Sequence, residues 1–364
     1  MTTRIPESEF IEAWERLGSP AAVARELGLT LRVVYARRKR LAAKGIALPT
    51  QPRSTPYATS TLYDADGKTV LQWVKEKHHP DFIAVMAEAM RDVKPLPPVK
   101  VPRGTLRDKL AVYPWGDPHF GQYSWAEETG DDYDLDIAQK LHFAAVDALV
   151  ARTLPARSAL LVSVGDTTHG DDSTNQTPAS KHTLDVDTRW RKVLRTTVLT
   201  FERCIQRLLE HHAEVEVAIV PGNHDPHAAA AIVTALEMLY RRNKRVTINI
   251  SPSRFMYKRF GKCLIGITHG DTCRLEKLGE LMACDRREDW GQTEHHHWFT
   301  GHWHHKRFFE GPDWTAEVLR TLAGKDAYAA SHAYRARRDM QSVVFDAERG
   351  EFQRNREDVR ALKP

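Results

Sequence analysis

Five short motifs in this chain combine carboxylate, imidazole and amide side chains: Asp117-Pro118-His119-Phe120-Gly121, Gly165-Asp166-Thr167-Thr168-His169-Gly170, Pro221-Gly222-Asn223-His224-Asp225, His269-Gly270-Asp271 and Gly301-His302-Trp303-His304-His305. Each follows an apolar run. Carboxylates and imidazoles gathered beside apolar strands would be stranded without a cation, because desolvating unpaired charge is expensive. Mixed Asp, His and Asn ligands suit hard or borderline divalent ions such as Mn²⁺, Fe²⁺ or Zn²⁺ better than thiolate-loving metals. In Asp117-x-His119 and His302-x-His304 the two-residue spacing places both side chains on one side of an extended segment. Glycines beside the ligands let the backbone turn sharply and approach the site closely. Each motif alone is weak, but five in this order predict a metal site.

The apolar runs before the motifs are the elements that must position them. Residues 110–115, 159–164, 215–220, 246–250, Cys263–Thr268 and 298–300 read as strands, and from about Leu106 they alternate with helical stretches. That alternation is the pattern of a layered α/β domain. Five of these strands deliver their motifs to one rim of the sheet, where open α/β folds bind ligands.

The order D-x-H, G-D, G-N-H-D, H-G, G-H-x-H resembles the calcineurin-like metallophosphoesterase superfamily over residues 106–346. The resemblance implies an α/β fold, a four-layer α/β/β/α sandwich, with two divalent metal ions at the strand ends. Manganese is the foremost expectation, with Fe²⁺, Zn²⁺ or Mg²⁺ as alternatives. By the same resemblance Asp117, His119, Asp166 and His304 hold the first metal. Asp166, Asn223, His269 and His302 hold the second, with Asp166 bridging. His224 stays off the metals and acts on the phosphate or leaving group, and Asp225 orients it. Two metals roughly 3.5–4 Å apart clamp the phosphoryl oxygens and lower the pKa of a water that attacks phosphorus in line. His169 departs from the pattern, since many relatives carry Asp or Asn there, and it reads as a substrate contact or an orienting group. His305 and the run His295-His296-His297 read as ordinary neighbours, and His227 and His332 as outside candidates for the rim.

The chain has 364 residues and a net charge of +5, and the excess is unevenly placed. Residues 1–50 hold nine bases against five acids, which accounts for +4 of it. There, residues 8–45 read as three short helices, with Ser19-Pro20 and Thr30 as helix starts. The spacing resembles a helix-turn-helix whose recognition helix is Leu31–Ala43, with Arg32, Arg37, Arg38, Lys39 and Arg40 near phosphates or base edges. A small helical bundle with a solvated basic face is the alternative. The expected division is a helix-turn-helix-like domain at 1–48, a linker at 49–105, the metallophosphoesterase domain at 106–350 and a solvated tail at 351–364. Within the linker, residues 61–63 and 70–74 suggest a hairpin and 80–92 an amphipathic helix, between a polar stretch at 49–56 and a proline-rich one at 95–102. Residues 171–189 follow the bridging Asp166, and Asn175, Lys181, His182 and Arg189 either grip substrate or belong to a solvated loop.

No run of about 18 apolar residues exists, so no membrane span is expected. Cys204, Cys263, Cys273 and Cys284 form no C-x-x-C pair, and the first ten residues lack the basic-then-apolar pattern of a signal peptide. A reducing cytoplasm is therefore the expected compartment. Asp117-x-His119-x-Gly121 is similar to the D-x-H-x-G of the DNA-repair exonuclease branch, and the whole arrangement resembles phage-type fusions of a helix-turn-helix with a phosphoesterase. The expected function is a DNA exo- or endonuclease, with DNA as partner and a homodimer compatible with the N-terminal module. The alternatives are a phosphatase or phosphodiesterase of small nucleotides or phosphoproteins, and a DNA-binding regulator that uses the fold without catalysis.

Overall fold

The computed structural model describes residues 5–17, 20–46, 48, 53–63, 69–79 and 96–362. They fall into two compact units, Met1–Pro95 and Leu96–Pro364. In the first, α1 (Glu7–Leu17), α2 (Pro20–Glu26) and α3 (Leu31–Ala43) bury Phe10, Trp14, Val23, Val34 and Leu41 among themselves. Thr30 caps α3 by accepting from the Val33 amide at 3.4 Å. The basic face of α3 is only partly free. Arg37 lies over the Phe10 ring at 5.6 Å, and Arg38 lies over Trp14 at 5.1 Å while donating from Nε to the Leu48 carbonyl. Both stems therefore cover the module's own core, and Arg32, Lys39 and Arg40 remain exposed.

Next comes an antiparallel hairpin, β1 (Arg53–Tyr63) with β2 (Thr69–His79). It is longer than the sequence suggested and takes in residues assigned there to a linker. Pro56 sits at a register irregularity, a position where the ladder tolerates a missing N–H. The helix expected over 80–92 lies outside the described residues.

The second unit contains β3 (Leu106–Trp115), β4 (Ala156–Ser163), β5 (Glu214–Ile219), β6 (Val246–Ile248), β7 (Phe255–Phe260), β8 (Cys263–Thr268), β9 (His295–Thr300), β10 (Arg307–Gly311), β11 (Trp314–Val318), β12 (Asp339–Asp346) and β13 (Gly350–Asp358). One sheet has the order β13-β12-β3-β4-β5-β6 and the other β10-β11-β9-β8-β7. The strands that end in motifs run parallel, β3 with β4 and β5, and β8 with β9. Their carboxyl ends therefore point the same way within each sheet.

Helices α4 (Leu135–Arg152), α5 (Trp190–His211) and α6 (Pro226–Tyr240) pack Leu141, Phe201, Leu208 and Ile232 against Ala111, Tyr113, Leu161 and Val217 on one face of the first sheet. Its other face contributes Val112, Leu160 and Val162 to a core shared with Ile265, Ile267 and Phe299 of the second sheet. The outer face of the second sheet is covered by α7 (Leu278–Asp285), through Leu278 and Met282 against Trp298 and Trp314. The result is the four-layer α/β/β/α sandwich that the family resemblance implied. Among the described residues no helix is long and apolar enough to cross a membrane.

Two boundaries differ from expectation. The stretch after Asp346, read as a solvated tail, is the edge strand β13, turned by Asp346 Oδ1, which accepts from the Glu348 and Arg349 amides, and by Gly350 at φ +80°. Leu362 is buried beyond it. At the other end the unit begins ahead of Leu106, for Leu96 and Val99 pack on the helix-side core and Arg245 Nη1 donates to the Val99 carbonyl at 2.7 Å.

Candidate metal centre

The strand ends release the chain into left-handed backbone at the residues that carry the chemistry. Asp117 (φ +41°), His119 (+46°), Asp166 (+46°), His302 (+69°) and His304 (+52°) all adopt it. Such conformations cost of order 1–3 kcal/mol at non-glycine residues and cluster at functional sites. Glycine is required where the turns crowd together. A Cβ on Gly222 would lie 2.0 Å from Asp166 Oδ1, and one on Gly301 would lie 2.7 Å from both Asp117 carboxylate oxygens.

Asp166 stands at the middle of the cluster. Its Oδ1 accepts from the His224 amide at 2.8 Å, while Oδ2 faces His269 Nε2 at 3.2 Å, His119 Nε2 at 3.9 Å and His224 Nε2 at 4.0 Å. His269 donates from Nδ1 to the Val164 carbonyl at 3.0 Å, which turns Nε2 toward Asp166 Oδ2 and toward Asn223 Oδ1 at 2.9 Å. His119 Nε2 meets His304 Nε2 at 3.1 Å, and its Nδ1 meets His169 Nδ1 at the same distance. Asp117 is fully buried; its Oδ1 accepts from the His302 amide at 2.9 Å, and its Oδ2 has no partner. The residues that could hold a metal form two groups, His119 with His169 and His224, and Asp166 with His269 and His302.

These contacts fit divalent cations. Around His269 Nε2 every neighbour is an acceptor, so either a second proton on the ring or a cation must sit there. In the metal-free chain it is the proton: burial pulls the His269 imidazole down, but the Asp166 charge overrides this and holds its pKa up at about 10. Burial, reinforced by Asp166, pushes the Asp117 carboxyl above the usual carboxylate range. Burial also depresses His304, to about 4, and drives His119 well below the usual imidazole value, so both rings are neutral near pH 7 and each has one nitrogen free of a proton that could bind a cation. A buried carboxylate oxygen without a partner is what a cation would satisfy.

No family model matches this chain, and no curated protein does. Among solved structures, a conserved uncharacterized protein described as a predicted phosphoesterase from Streptococcus pneumoniae is 11% identical, with 65% of this chain and 84% of that one covered and a TM-score of 0.28. Zinc-complexed Vps29 from Entamoeba histolytica is 14% identical, covering 68% and 99%, with a TM-score of 0.28. Phosphopantetheinyl hydrolase from Mycobacterium tuberculosis is 11% identical, covering 59% and 91%, with a TM-score of 0.27. The chemistry therefore rests on the residues of this chain.

The structure brings Asp117, His119, Asp166, Asn223, His269, His302 and His304 to one place, and His224 with them. Asp225 is elsewhere in its contacts. Both of its oxygens are taken by backbone amides, Oδ1 by Gly222 at 2.8 Å and Oδ2 by Thr167 at 2.7 Å and Thr168 at 3.2 Å, so it ties two motif loops together and does not orient the His224 ring. That ring is oriented by the His169 carbonyl, which accepts from His224 Nδ1 at 2.8 Å. His169 itself is buried behind the cluster, stacked 5.3 Å from His224, and so does not face incoming substrate. Asn175 and Arg189 are exposed and make no hydrogen bond to these side chains; Asn175 accepts from the Leu184 amide within its own loop.

His305 is held by the Trp303 carbonyl. His295, His296 and His297 are strand residues bound to Glu348, Asp313, Thr315 and Glu317. His332 stacks on Tyr328 at 4.0 Å, and exposed His227 pairs with Asp171, whose Oδ1 accepts the first amides of α6. Sequence reading missed Thr321, whose hydroxyl donates to the Asp117 carbonyl at 2.6 Å. Nothing in its surroundings along the chain marks it.

Proposed function

We propose that this protein is a divalent-metal-dependent phosphodiesterase acting on nucleic acid, with DNA as the first candidate. The observation that carries the reading is the convergence of carboxylate, amide and imidazole atoms at one point: Asp166 Oδ2, His269 Nε2, Asn223 Oδ1 and the His119 and His304 Nε2 atoms. Asp117, His119, Asp166 and His304 would hold one ion, and Asp166, Asn223, His269 and His302 the other. The ions, when bound, would neutralise the phosphoryl oxygens and make water a competent nucleophile at neutral pH.

The chain's own residues do the positioning. His269 keeps Nε2 directed at the site because its Nδ1–H is committed to Val164. His224 is fixed in the same way by His169, which leaves Nε2 directed at the site; as the imidazolium the ring would hand the Nε2 proton to the departing oxygen and return to the neutral form that keeps its proton on Nδ1. Asp225 keeps the Gly165-Asp166 and Gly222-Asn223 loops in register through its three amide contacts. For the substrate, the exposed Arg32, Lys39 and Arg40 of α3 supply a basic face suited to a phosphate backbone. A helix-turn-helix-like tether acting on DNA remains the reading of that module.

The test is metal-stripped protein reloaded with Mn²⁺ and offered linear and circular DNA, single-stranded DNA, RNA and bis-p-nitrophenyl phosphate, with Asp166→Asn as the blank. Mn²⁺-dependent cleavage of DNA that disappears in the variant is the expected result. Turnover of the small diester with intact DNA and RNA would overturn the nucleic-acid part, and no turnover of any diester would overturn the whole.

A further inference from the structure

One cleft is lined by residues next in the chain to two members of the second group, Gly270 after His269 and Trp303 after His302. It has a volume of about 460 Å³ and is walled by the segment that follows His269 and by Trp303, which stands between His302 and His304. Clefts of this size accommodate a small ligand. Trp303 is 49% exposed, an unusual position for the largest apolar side chain beside a polar centre. One edge is held by His302, with centroids 5.5 Å apart at 79°, and the Arg307 guanidinium lies 5.5 Å from the indole centroid. Arg274 joins Arg307 in the lining. Of the two carboxylates there, Asp271 is engaged by Arg254 at 3.3 Å, which leaves Glu276 against two arginines.

We infer that Trp303 is a stacking platform for a nucleobase next to the scissile phosphate, with Arg307 and Arg274 taking the adjoining phosphate. The inference rests on the phosphodiesterase reading and narrows its substrate to strands or nucleotides with an unpaired base. A flat aromatic face with an arginine against it offers dispersion and cation–π attraction to any base, whatever its sequence. A base within a duplex has both faces covered by its neighbours, so only an unstacked one reaches the indole. The left-handed backbone on either side, His302 at φ +69° and His304 at +52°, fixes the platform relative to the ligands. A phosphoserine or phosphothreonine offers no planar group for this wall.

The test compares a short single-stranded oligothymidylate with the same strand made abasic, using Mn²⁺-loaded wild type, Trp303→Ala and Trp303→Phe. Stacking on one base predicts that Trp303→Ala raises KM for the base-bearing strand about 10-fold. It should leave kcat and the abasic strand unchanged, and Trp303→Phe should recover most of the loss. Binding is read separately on metal-free protein, where a thymidine dinucleotide should quench tryptophan fluorescence in wild type but not in Trp303→Phe, and its abasic analogue should quench neither.

Equal loss on both strands in Trp303→Ala would overturn the inference and make Trp303 a positioning residue for His302 and His304. Wild type that ignores the bases, in turnover and in quenching, would also overturn it while leaving the phosphodiesterase reading intact. If bis-p-nitrophenyl phosphate is not hydrolysed either, that reading fails, and the quenching experiment alone decides whether the base site exists.

Discussion

Replacing Glu317 with Gln should destabilise the protein at neutral pH and lose that effect in acid. Glu317 lies on β11 with a side chain 1% exposed, and Arg354 reaches it from β13 of the other sheet at 2.8 and 2.9 Å. His297 Nε2 adds a contact at 3.1 Å. Burial alone would raise this carboxyl, but His297 and then Arg354 reverse the effect and hold it at about 2, below the ordinary 4.5. At about 1.4 kcal/mol per pKa unit, a depression of roughly two and a half units corresponds to about 3 kcal/mol of stability. Because the folded pKa is the lower one, that stability is complete above pH ~4.5 and drains away as pH falls toward 2. Glu317→Gln should therefore cost about 3 kcal/mol at pH 7, as expected when one partner of a buried pair is removed. The gap to wild type should close progressively below pH ~4.5. Urea unfolding at a series of pH values, followed by circular dichroism and tryptophan fluorescence, measures it. A gap that stays constant from pH 7 to pH 3, or no gap at pH 7, would refute the clamp between the sheets.

Gly222→Ala forces a methyl against Asp166 at 2.0 Å. It should lower turnover ~100-fold by displacing Asp166 and reduce bound Mn²⁺ in metal analysis, and the urea midpoint should fall as well, because the methyl would also lie 2.3 Å from the Asp166 backbone nitrogen. Asp117→Asn should raise the melting temperature of metal-free protein, because burial already holds the carboxyl above its ordinary range and Oδ2 has no partner. The raised folded pKa means that the charge costs more as pH climbs past the unfolded value, so the gain should be larger at pH 8 than at pH 5, and metal content should fall. Phe299→Ala, in the core between the sheets with Phe345 at 6.4 Å, should cost about 3–5 kcal/mol in the same urea assay.

The residues that could hold a metal were legible in the sequence because the fold brings them together by a local rule: an apolar strand ends and a polar residue stands within two positions of a glycine or of another such residue. Roles that depend on direction were not legible. Asp225 is adjacent to His224 along the chain, yet its carboxylate turns back to the amides of Gly222, Thr167 and Thr168 while the His224 ring is held from the other side by His169. Chain adjacency carries no information about which way two neighbouring side chains face. Strand β13 was missed for a different reason. Its alternating acids and arginines show no apolar period, and what fixes it is ion pairing and ladder bonds to β12, with Arg354 satisfied by Glu317, Glu351 and Gln341. Hydrophobic periodicity cannot detect an edge strand whose partners are charges on another sheet.

The strain at the rim has the opposite character, since it is local in place but not in cause. Five left-handed residues at about 1 kcal/mol or more each would consume much of the 5–15 kcal/mol by which a domain is usually stable. The offset must come from the packed faces of the two sheets, where Val112, Val162, Ile267 and Phe299 hold the strand ends in register, and from the cations that the site would bind. It follows that metal removal should loosen this rim first. Hydrogen exchange in the metal-free protein should accelerate at Asp117, Asp166 and His302 before it does within β4 or β8; uniform exchange across the sheets would show that packing alone supports the strained turns.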